Sequence, residues 1–207
     1  ASRFDLPAAV ESLRTAPTCE RAIAAAWYIQ GLLAAAVAAS LGGTAESLAP
    51  VRRAITVLEQ LGRSGSVPAE IARLVLHAAA AAAQTERDEM RLYLESASQM
   101  EAVQEAAGQA GAPIVTAMEM AGALWLQVDR YDEARRAYQE AARRSGPSLR
   151  TTLGEARASA RLGDVASACA GYRTLLDGWG TRDTEQPEII EGDEYLARRE
   201  CRAATRP

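Results

Sequence analysis

Neither lysine nor asparagine occurs in the 207 residues, so all 23 basic residues are arginine. The codons for both missing residues are A/T-rich, and a GC-rich genome loses them first. There is accordingly no Schiff-base lysine, no phosphate-loop lysine and no N-glycosylation acceptor. Aromatics are scarce, with Phe4 the only phenylalanine beside three tryptophans and six tyrosines. The one histidine, His77, sits on an apolar Leu/Ala stretch and reads as a packed residue with one hydrogen bond. No cysteine or glutamate stands at a helical spacing that would build a metal site with it, so neither metal nor cofactor is expected. Phosphate loop, nucleophile elbow, zinc signature and dinucleotide fingerprint are all missing. The chain is therefore read as no enzyme, with no catalytic residue assigned.

Basic surplus is missing too. The net charge is −4 with a pI near 5.2, whereas nucleic-acid binders carry positive charge to displace counterions. The cysteines Cys19, Cys169 and Cys201 are odd in number and lack a metal-like or redox-like spacing. One disulfide would leave one thiol over; the scattered spacing favours three unconnected thiols, with Cys169 filling a small core position.

What the chain has is alanine and helical periodicity. Apolar residues make up 48% and charged residues 24%, ordinary for a globular protein whose length supports a sizeable core. Residues 5–16 read as a short helix with Asp5 as cap and Pro7 in its first turn. From Ala22 to Ala45 no residue is charged, a run of 24. Its length permits a membrane span, but alanine, Gln30, Gly31 and the Gly42-Gly43 pair dilute the apolar drive. The preferred reading is a helix buried on nearly all sides, without a membrane span. Thr44 then caps a helix over 45–61, with Leu48, Val51, Ile55, Leu58 and Leu61 in one stripe. Pro68 opens the next helix, which carries six consecutive alanines from Ala78 to Ala83 and predicts a central packing element in which a leucine at Ala80 would overpack. Residues 86–107 pair with it through Met90, Leu94, Ala97 and Val103.

Residues 113–177 repeat. Tyr138 maps onto Tyr172 and Ala134 onto Ala168 at an offset of 34, and the same shift takes Gly122 to Ala156, Val128 to Leu162 and Ala141 to Leu175. With Pro147 near the unit's end, this period and pattern resemble the tetratricopeptide repeat. Trp125, Ser159, Met118 and Thr152 depart from the family's pattern. The resemblance implies an all-α, right-handed array of helical hairpins, an α-solenoid of about four hairpins. Its boundaries are a single all-helical domain over 1–207, two clear repeat units over 113–177, degenerate hairpins over 19–107, and a capping helix over 187–203. The tail, Trp179 followed by a helix led by Pro187 and Glu188, is similar to that of bacterial members, so a bacterial source is expected.

In that family the first helix of each unit lines a concave, peptide-gripping groove. The resemblance puts Thr116, Glu119, Ala123, Leu126 and Gln127 there from one unit, and Arg150, Leu153, Arg157, Ala160 and Arg161 from the next. The spacing of the three arginines independently places them on one helix face, where an acidic protein or peptide is the expected partner. Against this stands a solvated face neutralised by Glu155 and the acidic stretch 183–194. The first functional expectation is thus a protein-interaction scaffold. A small-molecule binder with an apolar cavity near Trp27, Tyr28, His77 and Trp125, and a regulatory domain of a larger signalling protein, are the alternatives. A start at Ala1 fits a removed signal peptide, a trimmed tag or an excised domain. The cytoplasm is the first expected location and export the second.

Overall fold

The computed structural model describes residues 17–109, 114–180, 186–198 and 201. The helix expected over 5–16 and the side chain of Trp179 lie outside the described residues. Among those described the fold is all-α, with nine α-helices, one π-helical turn and no strand. The chain divides into two compact units, Ala1–Ala117 and Met118–Pro207.

The first unit holds α1 (Pro17–Ser40), α2 (Ala49–Arg63), α3 (Val67–Ala83) and α4 (Arg87–Ala106). Helix α3 is central: it packs on α1, α2 and α4, and 11 of its 17 residues are buried. Alanine makes this close packing feasible, since a methyl lets neighbouring backbones approach. At Gly31 of α1 even a methyl is too much, because a β-carbon there would lie 2.3 Å from Leu76 Cδ1 on α3. Ala80 is an exception to the expected burial. It lines an open cavity of about 300 Å³, so overpacking is expected at the fully buried Ala78 instead.

Helix α1 corrects a second expectation. Ala24, Tyr28, Gly31, Ala35 and Ala38 face inward, whereas Ile29, Leu33 and Val37 are exposed. A helix without charged residues carries no marker of its outer side, so one-sided burial was not legible. After Ser40, the Thr44 hydroxyl accepts from Ser47 N at 3.2 Å and caps a turn rather than a helix. Helix α2 starts later, at Ala49 with Pro50 in its first turn, and buries Leu48, Val51 and Leu58, with Ile55 and Leu61 half-buried. On α4 the inward positions are Met90, Leu94, Ala97 and Glu101, not Val103, which is exposed. The buried Glu101 carboxylate accepts from Ala117 N at 2.8 Å, at a helix N-terminus where the dipole favours negative charge.

Next come α5 (Ala117–Gln127), α6 (Tyr131–Ser145), α7 (Leu149–Arg161), α8 (Val165–Leu175) and α9 (Pro187–Leu196), with the π-helical turn Leu176–Gly180 after α8. Successive helices from α6 to α9 pack on one another. The offset of 34 is visible in the buried pairs Ala134/Ala168 and Tyr138/Tyr172, and again in the three-residue loops 128–130 and 162–164. Both loops turn through a left-handed residue, Asp129 at φ 60° and Gly163 at φ 77°. Aspartate tolerates that conformation better than most residues, which keeps the geometry where glycine is absent. Ser148 and Thr151 form a reciprocal cap at the start of α7, and Asp164 accepts from Ser167 N at 3.1 Å at the start of α8.

The expectation of three separate thiols is overturned. Cys169 and Cys201 form a disulfide across a sequence separation of 32, and Cys19 is the free cysteine among the described residues. Cysteines this far apart reveal their pairing only once α8 and the chain end are folded together. Helix α9 spans Pro187–Leu196 and buries Ile189 and Tyr195 while leaving Ile190 exposed; the expected end at 203 lies outside the described residues.

Candidate functional site

An open groove of about 730 Å³ lies within the second unit. Four tyrosines, Tyr131, Tyr138, Tyr172 and Tyr195, contribute its rings, and Arg157, Arg161, Arg198, Glu191 and Glu194 its charges. Small residues on α5 and α7, Ala123 and Ala160, leave the floor open.

Each tyrosine is held by its own arrangement. The Tyr138 ring lies between Gly122 of α5 and Gly154 of α7, where β-carbons would stand 2.7 and 2.2 Å from it. Burial pushes its hydroxyl pKa up to about 12. Tyr172 stacks on Tyr195 with ring centroids 4.5 Å apart, and the Arg198 guanidinium covers Tyr195 at 4.6 Å. The Tyr172 hydroxyl donates to Glu191 at 2.7 Å; burial and this bond raise its pKa. Tyr131, at the start of α6, donates to Asp129 and lies 4.7 Å beneath the Arg161 guanidinium, which also donates to its hydroxyl.

The arginines are not an unpaired positive face. Arg157 donates to both Glu191 oxygens, its Nε at 2.9 and 3.1 Å; Arg161 pairs with Asp129 at 3.3 Å; Arg150 lies 3.5 Å from Glu119. Glu155, one expected neutraliser, instead accepts from Gln139. Burial opposes ionisation of Glu191, but the hydrogen bonds from Arg157 and Tyr172 and the Arg157 charge outweigh it, so its pKa lies below the usual carboxylate range.

Of the sequence-predicted residues, the groove brings together Leu126, Gln127, Arg157 and Arg161 with Ala123 and Ala160. Leu153 is in the core with Ala156 and Leu175, while Arg150 and Glu119 pair away from the lining. Thr116 belongs to the first unit. Sequence reasoning missed the tyrosines and Glu191. The Tyr138/Tyr172 offset was a signal for two of them; Tyr195 and Glu191 come from α9, outside the repeat. His77 lines the separate 300 Å³ cavity with Arg52 and Glu89 and stacks on Tyr93 at 4.7 Å. Tyr28 is fully buried, and neither Tyr28 nor Trp27 is in that lining. No metal cluster occurs among the described residues.

No protein-family model, no curated protein and no solved structure matches the chain. Fold and groove define a class: an all-helical protein whose second unit carries an open, tyrosine-lined, ion-paired groove.

Proposed function

We propose that the chain is a protein-interaction module, an array of hairpins like the tetratricopeptide repeat, that holds a segment of a partner protein in the groove of residues 118–207. The carrying observation is the lining: four tyrosines and three arginines around about 730 Å³. Tyrosine and arginine are enriched at binding hot spots, and this volume falls among those of ligand sites. Because Arg157 and Arg161 already have carboxylate partners, the groove favours mixed segments, with apolar side chains against the rings and backbone amides toward Glu194 and Gln127, over strongly acidic ones. The net charge of −4 supports a partner other than nucleic acid, and the packing of α1 on α2 and α3 supports a protein that does not span a membrane. The buried Cys169–Cys201 disulfide supports the exported alternative, since such bonds persist in oxidising compartments.

The test is selection from a random peptide display library, followed by calorimetric titration of the selected peptides. Tyr131→Ala and Arg198→Ala should each weaken binding at least tenfold while leaving the circular dichroism unchanged. An empty selection, or peptides indifferent to both substitutions, would refute the groove.

A further inference from the structure

Ile29, Leu33, Val37 and Leu41 are 44%, 65%, 59% and 60% exposed. Their spacing of four puts the first three in one ridge along α1, with Leu41 continuing it past the helix end. The ridge is roughly 18 Å long at about 1.5 Å per residue. Ala26, Gln30, Ala36 and Ser40 flank it, all exposed and uncharged. Elsewhere the protein solvates outward helix faces with charge, as at Arg52 and Arg53 on α2 and Asp132, Arg136 and Arg143 on α6. A continuous aliphatic ridge without any charge is the exception.

We propose that this ridge is a dimerisation surface, covered by the same ridge of a second copy in a two-fold arrangement. Charge decides the occupant. A covering surface must bring no unpaired carboxylate or guanidinium onto a face that offers neither sign. No other exposed helix face among the described residues is both uncharged and lined with large aliphatic side chains; on α4, exposed Leu92 and Val103 are separated by Glu95 and Gln99. Shape agrees with charge. Two ridges of fourfold spacing interdigitate at about −50°, each entering the shallow furrow that alanine leaves beside the other. The axis then falls between Leu33 and Val37. Four aliphatic side chains exposed to this degree, with their alanine flanks, supply on the order of 500 Å² per copy, so the pair reaches roughly the 1,000 Å² threshold of a weak, reversible interface. The ridge lies in the first unit and the groove in the second.

Sedimentation velocity on the full chain across a concentration series tests this. Parent protein and Cys19→Ser should both dimerise reversibly, which separates the ridge from an intermolecular disulfide. Leu33→Glu, Leu33→Arg and Val37→Glu should each be monomeric throughout with unchanged thermal melting, because these side chains are exposed. Mixing Leu33→Glu with Leu33→Arg should restore a dimer, since the two residues meet near the axis. A monomeric parent, a dimer that survives Leu33→Glu, or a mixture that stays monomeric overturns the proposal. A monomeric parent that co-floats with phosphatidylcholine vesicles assigns the ridge to lipid instead.

Discussion

The Tyr138 ring packs directly on Gly154: a β-carbon there would stand 2.2 Å from Cζ. Alanine is intrinsically better than glycine inside a helix by about 1 kcal/mol, so only a real clash makes the substitution costly. Gly154→Ala should nevertheless destabilise by roughly 1–3 kcal/mol in urea denaturation, as overpacked sites do. In a Tyr138→Leu background the cost should shrink or reverse. Equal costs in both backgrounds would place the strain elsewhere.

How far this could be read from sequence depends on the kind of signal. Periodicity located the helices from α2 onward and the repeat relation of Tyr138 to Tyr172, because both are local patterns. Glu101 and Val103 show where it failed: a fourfold and threefold count from Met90 reaches 101, but hydrophobicity pointed to 103. The nearby Ala117 N–H gives a carboxylate reason to take the inward place. Helical spacing relates the arginines of α7 to one another, yet Glu191 and Asp129, the partners of Arg157 and Arg161, lie 34 and 32 residues away in sequence, beyond any helical spacing.

Acid should act at two places in turn. Burial, with the Arg73 charge second, pushes the His77 imidazole below its ordinary ~6.5, so the unfolded chain takes that proton first. Stability is then lost as pH falls from about 6.5 through the lower folded value. The Glu191 carboxyl is depressed as well, so its contribution is complete above ~4.3 and is lost as pH falls through its folded value. Urea midpoints followed downward from neutral pH should show both phases. His77→Phe, which keeps a ring against Tyr93, should remove the first alone, and Glu191→Gln should reduce the second, which the also depressed Glu70, Glu133, Glu140 and Asp164 share.

Breaking the disulfide should cost roughly 2–4 kcal/mol, the usual range for a closed loop of this size. Cys169→Ser/Cys201→Ser and reduced parent should melt alike and below the oxidised parent. Thiol titration of the native oxidised chain after denaturation should count one reactive group, Cys19. A count of three would remove the bridge.

Two alanines of one helix should respond differently to the same change. Ala78 is completely buried, and Ala78→Leu should destabilise by roughly 1–3 kcal/mol. Ala80 faces the open 300 Å³ cavity beside His77, so Ala80→Leu should stay within about 0.5 kcal/mol of the parent. Thermal melts of the two variants decide between them; equal losses would mean that the cavity does not accept a side chain.

The bridge also alters what a cut in the backbone means. Cys169 lies within α8 and Cys201 beyond α9, so every peptide bond from 169 to 201 lies inside a covalent ring. A protease that nicks this ring once leaves both pieces attached, and the nicked protein migrates as one species until a reductant is added. Arg173, Arg182, Arg198 and Arg199 put trypsin targets inside the ring. Persistence of the C-terminal end after cleavage is thus a property of sulfur chemistry rather than of chain continuity.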